Sequence, residues 1–328
     1  MNTSSDNQSA KPKIIQAMLA GFNTIANKPI LILFPVILDL FLWFGPAWRI
    51  DSFFRPFIED LNSLPGLDSV EYSNLVMNFQ SFWTDMTANI DLASALHTLP
   101  IGIPSLMVSK PPFSNPFGSS PVIYLSSSGQ ILGLWLIFIL IGYLSGSLYY
   151  KNISTNIVNT GQKESIAQFF QTFFQVILMP FILLVILAIL SIPVMFLLTL
   201  FLVISPTVGQ FMLILIVIAV LWILLPLFFT PHGIFLYKQN LVPAMMTSIS
   251  VVRTLMGETA WYILLSFLLL QGMNYLWLSP AVDNWFLLVG ILGHAFVVTA
   301  IIASSFHYFL DATKYAQSIV NKSMKASP

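Results

Sequence analysis

The chain has 328 residues, of which 57% are hydrophobic and 8% charged, with equal numbers of acidic and basic side chains and no cysteine. An ordinary soluble domain carries roughly 45–50% apolar and about 25% charged residues, so this composition excludes a water-soluble fold and makes the bilayer the solvent. Zero net charge, with aromatic residues set in apolar runs rather than among Lys and Arg, excludes a nucleic-acid-binding surface; the lack of cysteine excludes disulfides, thiolate catalysis and cysteine metal sites.

In chain order, residues 1–28 read as a polar cytoplasmic tail and an amphipathic helix with Ile14, Ile15, Met18, Phe22 and Ile25 on one stripe. The first apolar run lacks a small-residue cleavage pattern and reads as an uncleaved anchor. The first span, 29–48, carries Asp39 near its middle. An ionised carboxylate there costs at least ~2.5–3.5 kcal/mol on insertion scales, and no Lys or Arg lies at the same depth. Asp39 therefore reads either as an ion or proton site or as a protonated, hydrogen-bonded structural group.

Residues 49–129 form an extracytoplasmic loop, far longer than the usual connection of about 4–6 residues. Amphipathic helices are predicted over 51–63 and 70–96, carrying Phe53, Phe54, Phe57, Phe79, Phe82 and Trp83, and irregular coil over 100–121. The aromatic content points to packing on the membrane mouth or on a protein partner.

Residues 130–310 are predicted to form a five-span bundle, with spans at 130–150, 176–204, 210–230, 260–278 and 285–310, each near the ~20 residues a crossing needs. Gly142 and Gly146 in span two make a small-xxx-small pair suited to close approach of another helix within the chain. The third span is over-long and contains Pro180 and Pro193, which predicts tilting, kinking or a start in the interface. Pro206 and Gly209 mark the turn before the fourth. Residues 311–328 form a second cytoplasmic tail.

Lys and Arg are retained on the cytoplasmic side. With the N-terminus inside, that side holds Lys11, Lys13, Lys28, Lys151, Lys163, Lys238, Arg253, Lys314, Lys322 and Lys325, against Arg49, Arg55 and Lys110 outside. Both termini are thus predicted to be cytoplasmic.

A stripe precedes each odd-numbered span. The second runs through Ile166, Phe169, Phe170, Phe173 and Phe174, and the third through Val242, Met245, Ile249, Val252 and Met256; all three are predicted to lie in the plane of the cytoplasmic surface. Shared patterns at Phe22-Asn23-Thr24-Ile25, Phe170-Gln171-Thr172-Phe173 and Val252-Arg253-Thr254-Leu255 suggest three copies of an in-plane helix and hairpin. Leu148-Tyr149-Tyr150-Lys151-Asn152 echoes Leu236-Tyr237-Lys238-Gln239-Asn240. Such repeats would be related by an axis along the membrane normal.

Span six carries His294 and His307, thirteen positions and so some 140° apart around a helix at about 100° per residue; they cannot chelate one metal. His307 and Asp311 share a face near the cytoplasmic end, where an interfacial His–carboxylate pair is plausible. His232 is predicted to face the cytoplasmic interface. No phosphate-cradling glycine loop, His-Glu-x-x-His or Gly-x-Ser-x-Gly occurs, so no catalytic residue, metal site or cofactor is expected.

Residues 241–258 combine Pro243-Ala244, a serine-containing amphipathic stretch and Val251-Val252-Arg253-Thr254 leading into a Trp-bearing span. This resembles the corresponding stretch of uncharacterised bacterial six-span membrane proteins, which are similar to the membrane domain accompanying some glycerophosphodiester phosphodiesterases. The run Leu96-His97-Thr98-Leu99-Pro100-Ile101-Gly102-Ile103-Pro104-Ser105 also looks like a loop motif of bacterial membrane proteins with an Asp-bearing first span. The resemblance implies a six-helix domain of the bacterial cytoplasmic (inner) membrane. No phosphodiesterase domain is present in these residues, so no activity is carried over.

The expectation is an all-α, multi-pass helix bundle in contact with membrane lipids. Its function is read as a non-enzymatic scaffold or accessory subunit that meets protein partners through residues 49–129, with a small transporter or lipid-handling permease as the alternative.

Overall fold

The computed structural model describes residues 10–60, 70–109, 114–158 and 165–326. Asp68, Lys110, Lys163 and Glu164, which bear on orientation and loop structure, lie outside the described residues, as do the chain's first nine and last two positions.

The protein is an all-α, multi-pass membrane bundle. Four helices are long and apolar enough to cross a membrane alone, and two bent helix pairs raise the number to six if each pair is one span. The first pair joins α1 (Ile14–Asn27) to a 3-10 turn (Pro29–Ile32) and α2 (Leu33–Phe44), with a 94° bend between its arms. Lys28, held at φ −135° ψ 62°, precedes Pro29; a residue before proline is driven out of the α region, and the proline has no N–H to continue the ladder. Gly45-Pro46 then ends α2 before the predicted limit of residue 48. Trp48 lies instead on β1 (Ala47–Arg49).

The region between α2 and residue 128 carries α3 (Asp51–Asp60) and α4 (Val70–Ala88). The helix predicted to run to residue 96 stops at Ala88 because Asp91 intervenes. Its Oδ1 accepts from Trp48 N at 2.9 Å and from Ala93 N at 3.0 Å, capping a 3-10 turn, Leu92–Leu96. Burial pushes the Asp91 carboxyl above the usual carboxylate range, against the pull of those two amides and of Arg49. Residues 100–121 are less irregular than predicted. They hold a 3-10 turn, Met107–Ser109, and the two-residue strands β2 (Ser114–Asn115) and β3 (Gly118–Ser119), paired antiparallel. β4 (Val122–Tyr124) then pairs parallel with β1, Ala47 opposite Val122, fastening the end of span one beside the start of α5 (Ser128–Val158).

α6 (Ile166–Ile204) is one continuous 39-residue helix. The predicted in-plane segment before span three is therefore its first turns rather than a separate element. Ser165 and Gln168 form a capping box at its start, and no chain-breaking residue lies between Phe174 and Val176. α7 (Pro206–Leu224) comes next, then a 3-10 turn, Leu225–Leu227, and α8 (Thr230–Tyr237). The unwound backbone there is repaired from α9 (Leu241–Thr254): Ser248 Oγ accepts from Phe229 N at 3.0 Å and donates to Pro226 O at 2.6 Å. α9 bends by 99° into α10 (Met256–Trp277), much as α1 bends by 94° into α2. The echo between residues 148–152 and 236–240 is not matched in structure. Tyr149 and Tyr150 sit inside α5, whereas Lys238 ends α8 in the left-handed region at φ 54°.

α11 (Leu287–Ala326) is the axis of the bundle. Two thirds of its membrane window is buried (67%), against none of that of α6. Small residues make this possible: a Cβ added at Gly21 of α1 would collide with Ala300 O and Ser304 N, so the two backbones touch. One core surrounds Trp43, Tyr149 and Ile291; a second gathers Ala17, Phe229, Tyr262 and Tyr308.

Replacing the fully buried Ser248 with Ala leaves Phe229 N and Pro226 O without their partner. We expect a loss of about 1–3 kcal/mol, read as a lower melting temperature of the protein in detergent micelles. An unchanged melt would show that the break at residues 225–229 is satisfied in another way.

Candidate functional site

The site begins where the chain between α4 and α5 turns back into the bundle. Residues 92–107 descend along α5: Gly142 faces Leu96 O and the Thr98 methyl, and Gly146 faces the backbone of Ile101 and Gly102. Gly146 lies eighteen residues beyond Ser128, about 27 Å along the helix at 1.5 Å per residue, so the segment is re-entrant. The sequence predicts a helix against Gly142 and Gly146; the neighbour is irregular backbone. An added Cβ at Gly142 would meet Leu96 O at 2.6 Å, so the glycine is what admits the segment's backbone.

Irregular backbone at this depth is tolerated only when protein groups satisfy it, and several of the segment's carbonyls and amides are bonded by side chains. Thr98 Oγ1 donates to Ile101 O at 2.6 Å, and Tyr143 Oη donates to Leu99 O at 2.5 Å. His97 Nδ1 lies 2.7 Å from Ile103 O; a carbonyl only accepts, so Nδ1 carries the proton.

Asp39 of α2 closes the far end. It is fully buried. Its Oδ1 accepts from Ser105 Oγ at 2.5 Å and from Met107 N at 3.0 Å, while Ser105 Oγ accepts from Val108 N at 3.2 Å. The second oxygen, Oδ2, faces Nδ1 of His294 on α11 at 3.8 Å. Neither Oδ2 nor Nδ1 has a hydrogen-bond partner. The carboxylate thus holds the re-entrant segment with one oxygen and presents the other to a histidine.

His294 is the residue that sequence reasoning misses as a partner, because spacing compares it with His307 on its own helix rather than with Asp39. A depth match is present in the sequence: Asp39 lies nine positions before the predicted outer end of span one (48), and His294 nine after that of span six (285). The other predicted residues do not converge here. His307 Nε2 is 3.0 Å from Thr24 Oγ1 of α1, while the exposed Asp311 is near enough to act on the ring electrostatically. His232 is buried, not interfacial: Nε2 meets Ser305 Oγ at 2.7 Å, and Phe228, Phe229, Phe306 and Phe309 surround the ring. No group of three or more His, Cys, Asp or Glu able to hold a metal ion occurs among the described residues.

If the glycine pair exists to admit the segment, Gly142→Val should destabilise the protein by about 1–3 kcal/mol through overpacking. Gly133→Val, on the same helix with nothing within 4 Å of its added Cβ, should be neutral. Thermal melts of both in detergent decide it; equal melting temperatures would remove the glycines from the account. No protein-family model, curated protein or solved structure matches the chain.

Proposed function

We propose that the chain is a non-enzymatic scaffold or accessory subunit of a larger membrane complex. The observation that carries this reading is the α6–α7 hairpin. Its helices contain the most apolar windows of the described residues, at a mean hydropathy of 3.1, yet none of the α6 window and 6% of the window within residues 206–237 is buried. α6 would extend about 58 Å at 1.5 Å per residue, well beyond a hydrocarbon core of ~30 Å. Ile192, Phe196, Val203 and Phe211 point away from the bundle. A hairpin that adds so little to its own chain's core is suited to packing against another membrane protein.

The interior supports the same reading. Its polar groups brace helices against one another: Tyr149 to Thr299, Tyr262 to Ser304, Tyr308 to Thr259 and His232 to Ser305. Ser305 Oγ lies within hydrogen-bond reach of His232 Nε2, but the ring is buried among four Phe side chains and its Nδ1 has no partner to orient it as a base. The exposed aromatic and methionine side chains of α3 and α4, including Phe57, Met77, Phe79 and Phe82, offer a second surface for a partner or for lipid. We infer residence in a bacterial cytoplasmic membrane with both termini inside, from the family resemblance and from the excess of Lys and Arg on that side.

A photo-crosslinking residue placed at Phe196 or Phe211 should form adducts with a second polypeptide in native membranes. The same residue at Leu136 of α5, also exposed, should capture lipid. Lipid adducts at all three positions would sink the subunit reading. The absence of native cysteine makes orientation simple to test. Ser119→Cys should react with an impermeant thiol reagent on intact cells and Asn321→Cys only after lysis; the reverse pattern would invert the topology.

One observation favours the rival reading of a small permease. A re-entrant segment beside bent and broken helices is the kind of irregular backbone found at transporter binding sites. A phenotype lost in Asp39→Asn at normal expression would favour transport, and unchanged behaviour the subunit.

A further inference from the structure

We propose that Asp39 and His294 together form a one-proton binding site whose occupancy holds residues 92–107 inside the bundle. The proton's position is fixed by the hydrogen bonds. Met107 N–H can only donate, and Ser105 Oγ already accepts from Val108 N, so its own hydrogen is directed at Asp39. Oδ1 therefore accepts twice and cannot carry the proton. That leaves Oδ2 and His294 Nδ1, two buried atoms 3.8 Å apart with no other partner. With the ring's own hydrogen on Nε2, one added proton between Oδ2 and Nδ1 converts an orphaned pair into a hydrogen bond after a movement of under about 1 Å, since such bonds need 2.7–3.2 Å.

Charge sets the direction of the coupling. With the proton bound, the pair is neutral. Release passes that proton to water and leaves one net negative charge in the bundle interior. The titratable groups around it supply no fixed cation. His97 on the re-entrant segment is near enough to act on His294 electrostatically but spends its Nδ1–H on Ile103 O. On α5, Tyr143 spends its hydroxyl on Leu99 O. Among the described residues no Lys, Arg or second carboxylate pairs with Asp39 or His294. An uncompensated charge in such a site costs several kcal/mol, and it is relieved by admitting water. Among the described residues, the covering layer that is not a spanning helix is the re-entrant segment, held at its end by Asp39 itself. Proton loss therefore favours withdrawal of residues 92–107.

The test uses the full chain in lipid nanodiscs. Ile103→Cys places a thiol on the buried segment, and Ser119→Cys provides an exposed reference that corrects for thiolate fraction. The ratio of labelling rates, 103 over 119, should rise with pH by up to about tenfold per unit, the limit for one coupled proton. Adding Asp39→Asn should hold that ratio low and flat, because the amide keeps its oxygen for Ser105 and Met107 and turns an N–H to His294. A flat ratio in the parent, or an unchanged slope with Asp39→Asn, overturns the proposal. Should Asp39→Asn fail to fold, infrared difference spectra of the unsubstituted protein decide between outcomes. A protonated-carboxyl band lost on raising pH, and shifted by His294→Gln, supports the site; its absence refutes it.

Discussion

A backbone N–H or C=O carried into hydrocarbon without a partner costs several kcal/mol, and regular helices meet that demand internally. Besides the bends at Lys28 and Leu255, this chain leaves the helical solution at residues 92–107 and 225–229, and at both of these stretches specific side chains bond to the freed backbone. Ser248 donates to one stranded group and accepts from another across the break in span four. Asp39, Tyr143 and Thr98 do the same for the re-entrant segment. Much else in the compact half is placed by these repairs. The parallel pairing of β1 with β4 brings the end of span one beside the start of α5, so the segment can lie in a groove between them. Trp43 Nε1 donates to Val282 O at 2.7 Å, which ties the outer end of α2 to the turn before α11 and sets Asp39 opposite His294.

Helices in lipid gain little from burying apolar surface against one another, so close packing decides which of them associate. α11 shows the consequence. Ala295, Ala300, Ala303 and Ser304 are fully buried on it, and Gly21 of α1 rests against the backbone at residues 300–304. α6 and α7 carry Leu, Ile, Val and Phe where α11 carries Ala and Ser, and they stay at the edge of the bundle. Where a small residue does occur at their junction, at Gly209, an added Cβ would collide with the Leu202 side chain, and the hairpin closes on itself. Apolarity alone thus predicts membrane residence well and predicts helix partners poorly.

The same distinction separates what is legible in the sequence from what is not. Hydropathy locates the spans, and the stripes before spans one and five mark helices bent by 94° and 99° from the spans they precede. The same rule applied to the stripe before span three fails, because α6 runs straight. A stripe reports which face of a helix is apolar, whereas a bend needs a residue that leaves the α region, such as Lys28 before Pro29 or Leu255 at φ −126°. Nothing between residues 166 and 176 does so. The re-entrant segment reads as helix to residue 96 and as external coil from residue 100, because its prolines and glycine match loop composition. Its destination is encoded at a distance, in Gly142 and Gly146 of another element. His294 is hidden for a related reason: partners 255 positions apart share no spacing pattern, only a common depth.

Asp39 carries two demands that pull against each other. As a fastening for backbone, it is best ionised, since charge strengthens the bonds from Ser105 and Met107. As a fully buried group with only a histidine on its second oxygen, it is best neutral. A lone structural role would have been met by Asn or Ser without that conflict. A lone proton site would not need two donors on one oxygen. The combination joins the ionisation of a single buried pair to the seating of sixteen residues, 92–107, of irregular chain. Because Thr98, Tyr143 and the two glycines hold the middle of that segment by neutral hydrogen bonds and close backbone packing, while the Asp91 carboxyl caps its first turn, the charge on the Asp39–His294 pair is the quantity through which pH reaches the seating of the segment's far end without altering any covalent structure.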